Sequence, residues 1–191
     1  MKNPLRLTAA LIVLASAVTV MATDPVKLPY IVYGDEQKET PWIPSGYMGN
    51  TKAITMDPDC TDAPHTGKKC LKVEYKDKTE WGGVVWQNPA NDWGDQDGGH
   101  NLTGATKLTF WAKGAKGGEK VTFGVGLLGS DKKFPDTAKA ELKEVALKPE
   151  WTQYTIDLKD KDLTRIKSGF YWTLAAQNDG VTFYLDDIQF E

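Results

Sequence analysis

The stretch KLTFWAKGAKGGEKVTFGVGLL (residues 107–128) contains two segments of alternating apolar and polar side chains on either side of a glycine-containing turn. The apolar side chains occupy every second position: Leu108, Phe110 and Ala112, then Val121, Phe123, Val125 and Leu127. Successive side chains of a β-strand point to opposite faces, so this period of two predicts two strands that each bury one face. Strands with one buried and one solvated face are typical of antiparallel sheets.

The same pattern recurs along the chain, between turns that use many of its 18 glycines and 10 prolines. Ten strands are predicted, over Tyr30–Tyr33, Ala53–Met56, Cys70–Tyr75, Gly83–Gln87, Lys107–Lys113, Lys120–Leu128, Ala140–Leu147, Thr152–Leu158, Phe170–Ala176 and Val181–Phe190. The longest segments predicted to be irregular are Glu36–Gly49, Asp57–Lys69 and Asn88–Thr106. Many short strands separated by turns predict an all-β fold, a two-sheet antiparallel β-sandwich of the jelly-roll type.

The first 22 residues have the features of a secretory signal peptide. Lys2 and Arg6 form a basic start, an uncharged apolar run extends from Leu7 to Val20, and Ala22 is a small residue at the cleavage point. The alternative is a membrane anchor, but this run is shorter than the roughly 20 residues that a helical span needs. The sequence therefore predicts a secreted protein, extracellular or periplasmic, with no membrane span and a single domain over residues 23–191.

The charge balance of the predicted mature chain is mildly acidic. Without Lys2 and Arg6, the 23 basic residues become 21 and face 26 acidic ones, which gives a net charge of -5. Such a surface disfavours binding to nucleic acids and to anionic lipids. It places no restriction on neutral ligands such as sugars.

The chain has two cysteines, Cys60 and Cys70. An even number of cysteines in an exported chain predicts a disulfide, which would close a short loop before a strand. The alternatives are two free thiols or a pair of metal ligands. Neither His65 nor His100 stands at a zinc-like spacing from the cysteines, so the disulfide is the preferred interpretation.

The sequence patterns of the common hydrolases are missing. A retaining glycosidase needs two carboxylates about 5 Å apart, and no strand carries acidic residues at the alternate positions that usually build this pair. There is no histidine-rich metal motif, no nucleophile elbow and no glycine-rich phosphate loop. These absences favour a non-catalytic protein over a glycan-active enzyme.

The seven Trp and seven Tyr residues are the feature that indicates a ligand. Sugar rings present faces of C–H groups that stack on flat aromatic side chains. Strand alternation places Trp86 and Trp172 on faces shared with apolar neighbours, and both are predicted to be core residues. Trp111 points away from the core, so it is either exposed or packed over Gly124 and Gly126 of a neighbouring strand.

Trp81 and Trp93 lie instead in polar segments next to a predicted strand. Trp93 lies within NDWGDQD (residues 91–97), where it is either a lid over the core or a platform for a ligand. Gln87 and Tyr171 point away from the apolar faces of their strands, and could share one open sheet face that Trp81 and Trp93 border. We therefore predict a carbohydrate-binding site formed by Trp81, Gln87, Trp93, Asp95 and Tyr171.

Several segments resemble bacterial carbohydrate-binding modules with a galactose-binding-like β-sandwich. The segments that carry the resemblance are KLTFWAKG (107–114), WTQYTIDL (151–158), GFYW (169–172) and FYLDDIQFE (183–191), with PSGYMGN (44–50) and GGVVWQNPANDWGDQDGG (82–99) as weaker support. The resemblance covers most of residues 30–191. Related sandwiches also act as adhesins and protein-binding domains, so the fold alone does not fix the function.

The resemblance also implies one structural calcium ion between the N-terminal strand and the last strand. It places this ion near Asp35, Asn50 and one of Asp186 or Asp187. Alternation along the last strand would turn Asp187 inward unless the strand bulges there, and an inward carboxylate needs a cation or several donors. The alternative is a pair of solvated acids at a sheet edge, and the predicted ligands are Asp35, Asn50 and Asp187.

The sequence thus predicts a secreted, non-catalytic, monomeric protein that binds a polysaccharide by aromatic stacking and polar contacts. The alternative is an adhesive or structural sandwich that binds a protein or cell-surface partner, and a glycan-active enzyme is the least favoured reading. Exposed Trp81 and Trp93 beside a groove would favour the first interpretation, whereas a flat apolar patch would favour the second.

Overall fold

The computed structural model describes residues 23–35 and 41–191. The predicted signal peptide, residues 1–22, lies outside the described residues. Within them, the chain forms eleven strands and one 3-10 turn at Thr51–Ala53. The strands are β1 (Tyr30–Tyr33), β2 (Ile43–Gly49), β3 (Ile54–Cys60), β4 (Cys70–Tyr75), β5 (Gly82–Gln87), β6 (Lys107–Gly114), β7 (Lys120–Val125), β8 (Ala140–Ala146), β9 (Thr152–Asp157), β10 (Ser168–Leu174) and β11 (Val181–Phe190).

The strands form two antiparallel sheets. Sheet A has the order β3-β4-β11-β6-β9, with β1 paired to the C-terminal end of β11 as a sixth strand. Sheet B has the order β2-β5-β10-β7-β8. From β4 onward the chain passes repeatedly between the sheets, so that most neighbours within a sheet are distant in sequence. The predicted two-sheet antiparallel β-sandwich is confirmed.

Aromatic side chains from both sheets fill the space between them. Phe110 of sheet A packs against Phe123 and Phe170 of sheet B, with ring centroids 4.7 and 5.4 Å apart. All three phenylalanines are buried. Trp86 and Trp172 are buried beside them, as the alternation of the sequence predicts. Each large apolar side chain removed from water stabilises the fold by about 1.5–3 kcal/mol.

Strand β2 lies in a segment that the sequence predicts to be irregular. It contains Pro44, Gly46 and Gly49, which are residue types depleted in strands. β2 is an edge strand paired only with β5, and its register shifts between Pro44 and Gly46. An edge strand tolerates proline because the missing N–H can face away from the sheet.

Cys60 and Cys70 stand directly opposite each other on β3 and β4. Both are buried, and both are free thiols in this structure. Burial, followed by the neighbouring Cys60, raises the pKa of the Cys70 thiol to about 12. Opposed residues of an antiparallel pair have Cα atoms about 4.5–5.5 Å apart, which a disulfide can span. The disulfide stays a prediction that these positions permit.

Trp111 does not pack over Gly124 and Gly126. It lies on the solvent side of sheet A, where its ring stacks on His65 with centroids 3.7 Å apart. Gly124 belongs to sheet B and is covered by the ring of Tyr171 on the neighbouring strand β10. Of the two alternatives for Trp111, packing over Gly124 and Gly126 is wrong, because the strands that carry Trp111 and Gly124 belong to different sheets.

Candidate functional site

The face of sheet B that points away from the core, here called the outer face, carries the residues that alternate with the core positions. On the central strand β10, Tyr171 and Thr173 belong to this face. Tyr171 is paired with Val85 on one side and Gly124 on the other, and Thr173 is paired with Gly83 and Thr122. This is the face on which strand alternation predicts a ligand.

One end of the outer face forms an open groove of about 560 Å³. The residues that line it include Trp81, Thr122, Glu144, Thr173, Gln177 and Asn178. The groove thus combines one large aromatic ring with hydroxyl, amide and carboxylate groups. That combination can stack on the apolar face of a sugar ring and hydrogen-bond to its hydroxyl groups.

Trp81 lies at this end because the turn between β4 and β5 holds it there. The Asp77 carboxylate accepts hydrogen bonds from the main-chain N–H groups of Glu80 and Thr79, at 2.8 and 2.6 Å, which lower its pKa to about 2. The main-chain carbonyl of Trp81 accepts a hydrogen bond from the N–H of Asn50 (2.9 Å). With its backbone held in this way, the Trp81 side chain is still 51% exposed.

Trp93 lies in the loop that follows β5, and a buried ion pair anchors this loop. Asp92 and Lys167 are 3% and 1% exposed, and the Lys167 ammonium donates to the Asp92 carboxylate and to the main-chain carbonyl of Gln96. The main-chain carbonyl of Asp92 accepts a hydrogen bond from Gln87 Nε2 (2.6 Å). Burial raises the pKa of Asp92, but Lys167 and the N–H groups of residues 94–96 outweigh it and leave the pKa below its ordinary value.

The residues after Trp93 are anchored as well. The carbonyl of Gly94 accepts a hydrogen bond from the N–H of Phe134 (2.9 Å), and the N–H of Asp95 donates to the Asp92 carboxylate (3.0 Å). Trp93 itself does not belong to the core cluster and is 37% exposed, and Asp95 is exposed beside it. The structure therefore presents Trp93 on a fixed loop, which fits a ligand platform better than a lid over the core.

Gln87 and Tyr171 lie on the outer face, but they are only 2% and 1% exposed. Ser45 Oγ donates to the side-chain carbonyl of Gln87 (2.9 Å), and the Gln87 amide is used by Asp92. The Tyr171 hydroxyl donates to the Glu141 carboxylate (2.5 Å), and burial, followed by this carboxylate, raises its pKa. The direct contact with sugar predicted for Gln87 and Tyr171 does not fit this burial, and both residues instead support the floor of the face.

Trp81 and Trp93 mark the two ends of one strand. Trp81 directly precedes β5, and the Trp93 loop is tied to Gln87, the last residue of β5. Six residues of strand span about 20 Å. The main-chain segments that carry the two exposed indole rings are therefore about the length of β5 apart.

The three predicted calcium ligands do not come together. Asp35 and Asp187 line one pocket of about 310 Å³ at one edge of sheet A, but Asn50 lies beside the β4–β5 turn and donates to Asp77 (2.6 Å). Within the described ranges, no group of three or more His, Cys, Asp or Glu side chains is arranged to hold a metal ion. These residues therefore do not fit a calcium site as a set of three.

The carboxylates of the predicted calcium site also have protein partners. β11 bulges between Asp186 and Gln189, and Asp187 takes a left-handed backbone conformation (φ 46°). As a result Asp186 is the fully buried acid, where burial and the charge of Asp187 raise its pKa. The main-chain N–H groups of His65 and Thr66 donate to Asp186, at 3.0 and 3.3 Å.

Comparison with known protein families bears on the exposed tryptophans and the groove of sheet B. The protein family described as Carbohydrate binding domain 30 matches residues 29–191. The chain belongs to this family. No curated protein sequence matches the chain. The family is a non-catalytic binding domain, so the prediction of carbohydrate binding is confirmed for this family 30 domain.

Solved structures with a similar fold are also carbohydrate-binding modules. One is the family 30 module of the cellulosomal cellulase Cel9D-Cel44B of Clostridium thermocellum, at 16% identity over 86% of this chain and 98% of that chain, with a TM-score of 0.62. Another is the family 11 module of the cellulosomal cellulase Lic26A-Cel5E of the same organism, at 13% identity over 85% and 93%, with a TM-score of 0.58. Because these identities are low, the likeness to the solved structures establishes the fold of the family 30 domain and nothing beyond it.

A third similar structure contains a sugar. It is a family 11 module from Clostridium thermocellum in complex with a β-1,3-1,4-mixed-linked tetrasaccharide, at 15% identity over 84% of this chain and 94% of that chain, with a TM-score of 0.50.

In the family 30 domain, the described residues contain no helix long and apolar enough to cross a membrane.

Proposed function

We propose that this protein is exported and binds a β-linked glucose polysaccharide along the outer face of sheet B, from Trp81 to Trp93. The observation that carries the proposal is the pair of exposed indole rings at the two ends of β5, each held by an anchored loop. A loop whose main chain is already held loses little conformational entropy when a ligand stacks on its tryptophan. A linear chain of sugars is the ligand that can engage both rings at once.

The choice of glucose units rests on the relatives. Two of the similar modules come from cellulosomal cellulases, and a third was solved with a tetrasaccharide of mixed β-1,3 and β-1,4 linkages. Thr122 and Thr173 on the floor of the groove offer hydroxyl groups to the sugar, and Asn178 on its wall offers an amide. The Gln177 amide is already bonded at both ends to the main chain of Lys120. We propose direct contacts for Trp81 and Trp93, and a polar contact for the exposed Asp95.

The groove favours binding over hydrolysis. Glycoside hydrolysis by the common mechanisms needs a pair of carboxylates on either side of the scissile bond. Among the described residues that line the groove, Glu144 is the one that carries a carboxylate. We therefore propose that the chain acts on glycans by binding alone.

Export is proposed from the basic start and apolar run of residues 1–22. An oxidising compartment would also allow Cys60 and Cys70 to form the disulfide that their opposed positions permit. Both parts of this proposal can be examined on the protein recovered from its natural host. Loss of residues 1–22 and absence of free thiols would support them.

Affinity electrophoresis in native gels tests the proposed ligand. The mature protein would be run through gels that contain mixed-linkage β-glucan, xylan, mannan, galactan or alginate. We expect mixed-linkage β-glucan to retard the protein most. Stronger retardation by one of the other polymers would contradict the assignment to β-glucans, and no retardation by any polymer would favour the adhesive alternative.

A further inference from the structure

The groove on the outer face is bordered by the edge strand β8 on the side opposite Trp81. The strands β5, β10, β7 and β8 are neighbours in that order. Thr173 of β10 is paired with Thr122 of β7, and Glu144 of β8 is the lining residue beyond them. Because Trp81 directly precedes β5, a sugar unit in the groove lies between the Trp81 ring and Glu144.

Glu144 borders the groove because β8 bulges at this point. The register between β7 and β8 shifts within residues 121–123, so that Lys143 and Glu144 both stand opposite Thr122. Glu144 takes a left-handed backbone conformation (φ 47°), which is uncommon and costly for a residue with a side chain. Bulges protect edge strands from pairing with other chains, and they also re-aim side chains next to functional sites. The position of Glu144 at the groove agrees with the second role.

The bulge also determines the hydrogen bonding of Thr122. The main-chain N–H of Glu144 donates to Thr122 Oγ1 (3.0 Å). A threonine hydroxyl has one proton to donate and two lone pairs that accept. Since Oγ1 is the acceptor in this hydrogen bond, the hydroxyl proton stays available to a ligand in the groove.

The Glu144 carboxylate is exposed and can only accept hydrogen bonds when it is ionised. The carboxylate of Glu141 on the same strand is bonded to Tyr171 and Lys139. Within the described ranges, Glu144 has no such hydrogen bond or ion pair on its carboxylate oxygens. A free donor and a free acceptor therefore lie on neighbouring residues of one groove, and a sugar hydroxyl, which both donates and accepts, matches this pair.

We propose that Thr122 and Glu144 together recognise one hydroxyl group of the sugar unit in the groove, Thr122 by donating a hydrogen bond and Glu144 by accepting one. Glu144 then determines specificity, because a hydrogen bond to an ionised acceptor is about twice as strong as one to a neutral acceptor. A sugar unit that lacks this hydroxyl binds more weakly. This inference rests on the proposed function and adds the polar selection that stacking on Trp81 does not supply.

Isothermal titration calorimetry of the mature protein with soluble mixed-linkage β-glucan is the first test. Glu144→Gln keeps an acceptor but removes the charge, and should weaken binding by about fivefold, the difference between a charged and a neutral acceptor. Lys143→Gln is the matched control, because Lys143 belongs to the same bulge but lies near Glu141 (3.7 Å) and is not among the residues that line the groove. It should bind the glucan as the unchanged protein does.

Glu144→Gly separates sugar recognition from the geometry of the strand. Glycine adopts the left-handed conformation without the steric cost of a side chain, so this variant should melt at the same temperature as the unchanged protein or higher. It should nevertheless bind the glucan at least about fivefold more weakly. If Glu144→Gln and Glu144→Gly both bound the glucan as Lys143→Gln does, the bulge would only protect the edge of the sheet and the proposal would be overturned.

Mixed-linkage tetrasaccharides that each lack one hydroxyl group are the second test. One of them should bind the unchanged protein clearly more weakly than the parent tetrasaccharide, and Glu144→Gln and Thr122→Val should reduce this difference. An equal difference in the variants and the unchanged protein would overturn the shared recognition of one hydroxyl. Failure of the unchanged protein to bind any β-glucan would instead overturn the proposed function and this inference with it, so the two failures are distinguishable.

Discussion

Replacing Trp81 with alanine should weaken the binding of a soluble β-glucan by about 15-fold, and the structure sets this magnitude. Trp81 is 51% exposed, so of the roughly 250 Å² of a Trp side chain about 130 Å² is open to a ligand. A sugar stacked on one face covers about half of this area. At about 25 cal/mol per Å², the lost contact amounts to about 1.6 kcal/mol, or about 15-fold in dissociation constant.

The same arithmetic gives a smaller effect at the other end of the face. Trp93 is 37% exposed, which corresponds to about 45 Å² under a stacked sugar, about 1.1 kcal/mol and about sevenfold. Trp81 and Trp93 are separated by the length of β5 and share no side-chain partner, so their effects should add. The double variant should therefore bind about 100-fold more weakly than the unchanged protein.

Isothermal titration calorimetry with a soluble mixed-linkage β-glucan is the assay, accompanied by thermal unfolding of every variant. Tyr47→Ala is the matched control. Tyr47 is 41% exposed, but it is paired with the core residue Val84 and so belongs to the opposite side of the edge strand β2. It should bind the glucan normally, and the melting temperatures of the Trp81 and Trp93 variants should remain close to that of the unchanged protein.

Two results would refute this reasoning. If neither tryptophan variant weakened binding by more than Tyr47→Ala does, the ligand would lie elsewhere than on the outer face. If the double variant were no weaker than the worse single variant, then the two rings would not contact the same chain at the same time. A large fall in the melting temperature of Trp93→Ala would place that ring in the packing of its loop rather than in ligand binding.

Three further predictions concern the anchors of the fold. Lys167→Met leaves the Asp92 carboxylate buried without its cation and should lower the free energy of unfolding by about 3–5 kcal/mol, measured by chemical denaturation. A loss below about 1 kcal/mol would contradict this prediction. The folded pKa of Asp92 lies below its ordinary value of 3.8, so its stabilisation is present above that value and is lost as the pH falls through the lower folded pKa. Tryptophan emission should therefore stay constant from about pH 7 to about pH 4 and change only in stronger acid. A transition near pH 6 that is absent in Trp93→Phe would count against this anchor. In protein produced by export, Cys60 and Cys70 should not react with a thiol reagent after unfolding, and two reactive thiols per chain would contradict the disulfide. Replacing both cysteines with serine should lower the free energy of unfolding by about 2–3 kcal/mol.

The alternation of the sequence determined most of the strands and the identity of the core. The side-chain period of a strand is a local property, because each residue points to the face opposite its neighbour. This is why Trp86 and Trp172 could be assigned to the core without knowledge of the fold. Trp93 lies in a polar loop rather than a strand, so the sequence left open whether it is a lid over the core or a platform for a ligand. The edge strand β2 escaped this reasoning because its Pro44 and its glycines are typical of turns, and its pairing with β5 overrides that preference.

Alternation fixes the face on which a residue lies, but not what covers that face. Tyr171 and Gln87 point away from the core as predicted, yet both are almost fully buried. The Tyr171 hydroxyl donates to Glu141, and the Gln87 amide donates to the main chain of Asp92. The ion pair between Asp92 and Lys167 joins residues 75 positions apart, and no local pattern announces it. Coverage depends on loops that arrive from distant parts of the chain, and these contacts exist only once the sheets have formed.

The order of the strands was likewise decided only by the tertiary structure. Trp111 and Gly124 belong to neighbouring strands in sequence but to different sheets. Asn50 hydrogen-bonds to Asp77, whereas Asp187 lines a pocket that does not include Asn50. The sequence by itself determined the class of fold and, through its resemblance to known modules, the class of ligand. Which aromatic rings remain exposed depends on long-range packing, because exposure is set by the neighbours that folding brings together.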